Sequence, residues 1–291
     1  MIGCCLAEGG DDPIIGSAKV VTRVWGVMLL LSACTNPAAT TQLPISTATL
    51  VLDTPTPAPS TTASSAQSGA KLHFQLGDAY TAKHDYEHAI EEYSQAIAQY
   101  PGYVDAYIYR GSAYENQGQF DLARKDYEAA LKIAPDSAVA YFKRAILFYD
   151  TGDKSRAVED LNKAIELEPN FTQAYVNRGL IYDERGEYDR ALTDFDHALQ
   201  LTSSDPELAG YYFNRAATYF HQKNYERSVA DLTQAIKLKP DYAKAFFLRG
   251  AILANSAPKD AKQDLETALG LGLEPQLESQ ATKLLEQLNR P

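Results

Sequence analysis

His84 and His88 stand four residues apart, the spacing that puts two imidazoles on one face of a helix and the first thing a zinc site needs. The pattern goes no further. His84 falls where a turn between two helices is expected, and Cys4, Cys5 and Cys34 all lie far upstream. Carboxylates recur at fixed spacing as Glu92, Asp126, Asp160, Asp194, Asp231 and Asp264, and so do Arg110, Arg144, Arg178, Arg215 and Arg249. A functional patch would vary along the chain, whereas charges that repeat in step suit a ladder of ion pairs between helices. There is no Gly-rich phosphate loop, nucleophile elbow or zinc signature. The residue chemistry points away from an enzyme, and no cofactor or metal is expected.

The elements that position these charges follow a period of 34 residues, which runs through three quarters of the chain. Repeats begin at Ala70, Val104, Ala138, Thr172, Ala209 and Ala243. Their fourth position is aromatic in Tyr107, Tyr141, Tyr175, Tyr212 and Phe246, with His73 the exception. The eighth is small (Gly77, Gly111, Ala145, Gly179, Ala216, Gly250), as is the twentieth (Ala89, Ala123, Ala157, Ala191, Ser228, Ala261). Large residues fill the eleventh and twenty-fourth positions, Tyr80 and Tyr93 in the first repeat. Gly118, Gly152 and Gly186 stand where a first helix must stop in a backbone of positive φ, and Pro101, Pro135, Pro169 and Pro240 close the second helix.

This pattern resembles the tetratricopeptide repeat, whose signature is Trp-x2-Leu-Gly-x2-Tyr followed by Ala, Phe and Pro. The resemblance implies an all-α, right-handed superhelical solenoid of antiparallel helical hairpins. Six repeats are expected, at 70–103, 104–137, 138–171, 172–208, 209–242 and 243–275, with a capping helix over 276–291. Repeat four carries three extra residues around Ser203-Ser204-Asp205-Pro206, with Asp205 read as a helix cap. The last helix sets Leu277, Ala281, Leu284, Leu285 and Leu288 on one face, as a cap over an exposed stripe requires. Repeat one has Leu76 in place of arginine and no helix before it. That favours each arginine pairing with the acid of the preceding repeat: Arg144 with Asp126, Arg178 with Asp160, Arg215 with Asp194.

Ahead of the array, Lys19 and Arg23 flank a short apolar run, Val24 to Leu31, too short to span a bilayer but suited to a signal peptide over residues 1–33. Glu8, Asp11 and Asp12 are unlike a basic leader, so translation is expected to start later, near Val20. Leu31-Ser32-Ala33-Cys34 resembles the bacterial lipobox, which implies cleavage before Cys34 and a diacylglyceryl group on its sulfur. Residues 34–69 read as a disordered tether: from Thr35 to Gly69, 25 of 35 residues are Thr, Ser, Pro or Ala. The protein is therefore expected outside the cytoplasm, held to a membrane through lipid.

A net charge of -11 without a basic cluster argues against nucleic acid as a partner. The tetratricopeptide family usually binds a protein or peptide along a concave face lined by the first helix of each hairpin, at positions two, five, six, nine, twelve and thirteen. The fifth position holds Phe74, Ile108, Phe142, Val176, Phe213 and Phe247, and the ninth holds Asp78, Ser112, Ile146 and Leu180. Tyr149 stands at the twelfth. Glu115, Asp150 and Asp183 join Asp78 on the same or the next helical row, giving an apolar floor with an acidic rim suited to a basic, partly apolar segment. A clamp for two carboxylates is not expected, because Phe74, Ile108 and Phe142 stand where its first lysine belongs. Asn177 and Asn214 form only two rungs of a possible asparagine ladder, and Lys143 interrupts it. The expected function is a scaffold that holds a partner in this groove. The alternatives are an assembly subunit that works through its convex face and edges, and an enzyme of envelope polymers, for which no residue speaks.

Overall fold

The computed structural model describes residues 61–202 and 205–290. Cys34, its apolar flank and residues 34–60 lie outside the described residues. Among the described residues there are thirteen helices and no strand. They are α1 (Thr61–Ala82), α2 (Tyr86–Gln99), α3 (Val104–Asn116), α4 (Phe120–Ile133), α5 (Ala138–Asp150), α6 (Lys154–Leu167), α7 (Thr172–Glu184), α8 (Tyr188–Leu201), α9 (Asp205–His221), α10 (Tyr225–Leu238), α11 (Ala243–Leu253), α12 (Pro258–Leu271) and α13 (Pro275–Leu288). They fall into two compact units, residues 61–181 and 182–290, the division lying within α7. No described helix is long and apolar enough to cross a membrane.

One boundary differs from expectation. The first helix begins at Thr61, nine residues before the first repeat, so 61–69 is helical and not part of a tether. The last proline of that region is Pro59. Composition averaged over 35 residues concealed a proline-free end that continues straight into the repeat. In keeping with the reading of Asp205 as a helix cap, α9 begins at Asp205, and it runs for 17 residues where its counterparts α3 and α5 have 13, so the insertion in repeat four lengthens a helix from its N-terminus.

Each A helix turns into its B helix within a few residues. The fifteenth position has positive φ in five repeats: Gly118 (73°), Gly152 (88°) and Gly186 (74°), but also His84 (59°) and Lys223 (62°). Its N–H and the next one bond back to the A helix, as in Gly118 N to Glu115 O (2.9 Å) and Gln119 N to Tyr114 O (2.8 Å), which satisfies carbonyls that a helix end leaves open. The following residue caps the B helix: the side chains of Asp85, Asp153 and Asn224 accept from the N–H three residues on. A side chain in the left-handed region costs about 1 kcal/mol or more. Lys223→Gly is therefore expected to raise stability by about 1 kcal/mol in chemical denaturation. A loss would mean that contacts of the lysine outweigh the backbone strain.

Inside each hairpin the small residues sit against large ones. A Cβ added at Gly77 would lie 2.5 Å from the ring of Tyr93, and one at Gly111 2.7 Å from Tyr127. Both tyrosines are fully buried. Where the B helix offers Leu161 or Leu232 instead, the small position holds Ala145 or Ala216. Volume is thus conserved in these pairs, as a close-packed interior demands, while in the sixth repeat Gly250 faces Leu265. In the second unit, Phe247, Leu248 and Leu265 are fully buried, and Leu277, Ala281 and Leu284 of α13 pack onto that cluster.

The ion-pair ladder is present, but its direction is the reverse of the one expected. Arg110 donates to both oxygens of Asp126 (2.8 and 2.7 Å), Arg144 to Asp160 (2.7 and 2.8 Å), Arg215 to Asp231 (2.7 and 2.8 Å) and Arg249 to Asp264 (2.7 and 2.8 Å), each within its own repeat. Arg144 does not take Asp126, Arg178 does not take Asp160, and Arg215 takes Asp231 and not Asp194. The link to the preceding repeat is made two residues further on. Arg110 Nη1 reaches Ser94 Oγ (3.0 Å), Arg178 Asn162 Oδ1 (2.7 Å), Arg215 Asp196 Oδ1 (2.6 Å) and Arg249 Thr233 Oγ1 (3.2 Å). The guanidinium also lies over the fourth-position ring, at 5.7 Å for Arg110 on Tyr107 and 5.6 Å for Arg144 on Tyr141. In repeat one both partners change together: Leu76 replaces the arginine, and His73 bonds Glu92 directly through Nδ1 at 2.6 Å.

Candidate functional site

In the first unit the A-helix face is built from α1, α3, α5 and the first part of α7. Phe74, Phe142, Ile146, Tyr149 and Leu180 are half-buried there, each presenting part of its side chain to solvent. Ile108 and Val176 are not available: they are 2% and 9% exposed, and Ile108 packs with Tyr127, Ala140 and Leu147. In the second unit Phe213 (8%) and Phe247 (0%) are core residues as well. The fifth position is therefore a mixed one, partly surface and partly packing.

Three of the four fifth-position phenylalanines have an aromatic partner at the end of their own repeat. Phe74 meets Tyr103 (5.1 Å between centroids), Phe142 meets Phe171 (4.8 Å) and Phe213 meets Tyr242 (5.1 Å). Repeats two and four, with Ile108 and Val176, have no such pair because Ser137 and Leu208 end them. Around Phe74 the cluster widens, with Tyr109 edge-on at 5.3 Å and Tyr93 at 5.6 Å.

The acids of this face are held from behind by buried tyrosines. Tyr93 donates its hydroxyl to Asp78 (2.8 Å), and Tyr127 donates to Glu115 (2.7 Å) while lying 3.1 Å from Ser112 Oγ. The packing tyrosines of the B helices therefore also orient the groove carboxylates, a role that only their hydroxyls reveal. Burial raises the pKa of Asp78, against the lowering bond from Tyr93, and the charge of Asp105 raises it further. Desolvation by neighbouring side chains likewise raises Glu115, and also Asp105 and Asp150 although both remain exposed. Lys143, on the same face, is lowered by its own burial, and the charge of Glu115 opposes that shift.

In the second unit Asp183 is not a rim charge. His221 Nδ1 lies 2.9 Å from its carboxylate, and its side chain is only 10% exposed. His84 and His88 also part company: His84 Nδ1 meets Tyr86 Oη at 3.0 Å, and His88 Nδ1 meets Asp85 at 2.8 Å. No group of three or more metal-binding side chains occurs among the described residues. A pocket of about 440 Å³ opens between α9, α10 and α11, walled by Phe220, Tyr225, Val229, Ile252 and Leu253.

Models of the tetratricopeptide repeat match residues 74–138 and 142–206, and a further one matches 209–242. A comparison with curated protein sequences gives no match. Among solved structures the chain is similar to that of PilF from Pseudomonas aeruginosa, at 17% identity and a TM-score of 0.63, over 77% of this chain and 97% of that one. It is similar to a chain of the APC/C hetero-tetramer Cut9-Hcn1 at 19% identity and a TM-score of 0.63, over 76% of this chain and 43% of that one. YrrB, described as having an unusual peptide-binding site, matches at 22% identity and 0.50, over 61% and 90%. At these identities the likeness establishes the hairpin fold. With that fold, the 34-residue register and the matched repeats, the chain belongs to the tetratricopeptide repeat family.

Proposed function

We propose that this protein is a lipid-anchored adaptor outside the cytoplasm, which holds a basic, partly apolar segment of a partner protein against the A helices of its first three repeats. The observation that carries this reading is the half-exposed apolar row of Phe142, Ile146 and Tyr149, with Phe74 and Asp78 on the same face. The aromatic residues at the equivalent positions of the second unit, Phe213, Phe220 and Phe247, are buried, which confines the proposed contact to residues 61–181. Tetratricopeptide arrays act as protein-interaction scaffolds, and the peptide site named for YrrB makes a peptide partner a natural choice here.

Anchoring rests on the sequence alone: basic flank, short apolar run and Leu31-Ser32-Ala33-Cys34. A buried acyl chain contributes about 0.8 kcal/mol per methylene, so two or three chains hold a protein on a membrane stably. Mass spectrometry of the mature N-terminus should find a lipid-modified Cys34. An unmodified Cys34, or cleavage elsewhere, removes the anchor from the proposal. Affinity capture with the full chain, with and without the Phe142 and Tyr149 substitutions discussed below, tests the adaptor. A partner retained equally by both would shift the function to the convex face and edges.

A further inference from the structure

The rings around Phe74 and two neighbouring carboxylates make a surface more specific than an acidic groove. Phe74 and Asp78 lie one turn apart on α1, and Asp105 and Tyr109 one turn apart on α3. Tyr103 joins them from the connection between α2 and α3. Phe74 lies 5.1 Å from Tyr103 and 5.3 Å from Tyr109, and Tyr109 remains 46% exposed although large and aromatic. Asp78 is fixed by Tyr93, while Asp105 is exposed at the mouth.

We propose that Phe74, Tyr103, Tyr109, Asp78 and Asp105 form a receptor for one basic side chain, arginine in preference to lysine, of the polypeptide segment bound by the A helices. Ring faces attract a cation, and a planar guanidinium can stack on a ring while its N–H groups reach two carboxylates. Charge complementarity selects the occupant. Neither Asp78 nor Asp105 forms an ion pair with a Lys, Arg or His among the described residues, the charge of Asp105 raises the pKa of Asp78, and both carboxylates raise that of Tyr109. A guest cation relieves both. Further along the same face Lys143 already offsets the charge of Glu115, whereas no such cation acts on Asp78 or Asp105.

This inference rests on the groove reading, and its test separates the two. N-acetyl-arginine amide is titrated into the full chain and followed by NMR of the Phe74, Tyr103 and Tyr109 signals, with the corresponding lysine and glutamine amides in parallel. Saturable shifts are expected for arginine, weaker ones for lysine and none for glutamine. The double variant D78N/D105N, which preserves shape and the acceptor for Tyr93, should weaken arginine binding at least about tenfold, and Y109L should do the same by removing the ring. Equal shifts from glutamine, or arginine binding unchanged in both variants, overturn the receptor. A captured partner that needs Phe142 but is indifferent to D78N/D105N also overturns it while leaving the groove standing. Arginine binding that vanishes in these variants, beside a partner indifferent to Phe142, preserves the receptor and removes the groove reading.

Discussion

Asp160→Ala is expected to destabilise its hairpin by about 3 kcal/mol or more, because it leaves the Arg144 guanidinium without the carboxylate that accepts two of its N–H groups. Asp160 is 6% exposed, and its bonds to Arg144 are 2.7 and 2.8 Å long. The pair is out of reach of the screening that reduces exposed ion pairs to a fraction of a kcal/mol. Replacing both members, as in R144M/D160L, should recover most of the loss, since two apolar side chains leave no charge stranded. Urea denaturation supplies the magnitude. Hydrogen exchange should locate the loss in α5 and α6, because repeats of this kind can open without the whole array. A cost below about 1 kcal/mol would show that Arg144 swings into water when its partner is removed.

Phe142→Ala and Tyr149→Ala should each weaken the captured partner by about 2 kcal/mol, close to thirtyfold in Kd, if binding energy concentrates at the centre of the first unit's A-helix face. Both side chains are half-buried, so they are held in place yet keep surface to offer. Phe142 is steadied by Phe171 at 4.8 Å, which lowers the entropy lost when a partner packs on it. Asp150→Asn should act differently, slowing association and flattening its salt dependence while changing dissociation little. Asp183 does not serve this comparison, since its bond to His221 makes its replacement a structural change. Surface plasmon resonance separates these rates. Losses below about threefold for both aromatic variants would move the contact to another face.

The scaffold was legible because it repeats. Gly118, Gly152 and Gly186 marked the turns, the small residues marked the helix contacts, and the apolar stripe of the last helix marked its packing side. What failed was direction and depth. Arg144 lies 18 residues after Asp126 and 16 before Asp160, so spacing could not choose between them, and Leu76 suggested the wrong one. The real reason for Leu76 is His73, which satisfies Glu92 without an arginine. Depth failed for a related cause. Position in a repeat gives an angle around the helix, whereas exposure depends on what the neighbours cover, so Ile108 and Phe247 are buried at the same angle that leaves Phe74 and Phe142 half open. The phenol bonds from Tyr93 and Tyr127 were hidden because a residue that fills space gives no sign in sequence of what its hydroxyl touches.

The arginine ladder and the small-to-large fit have a common consequence for how such a chain can lengthen. Both are settled between the two helices of one hairpin, where Gly111 tolerates Tyr127 but an alanine, like Ala145, would drive a methyl to 2.7 Å from its ring. The link between hairpins is lenient, since serine, asparagine, aspartate and threonine all accept the same Arg Nη1. A strict interior with a permissive joint makes the whole hairpin the heritable module. Duplication or loss in units of 34 residues keeps every fit, whereas exchanging a single helix between copies breaks one.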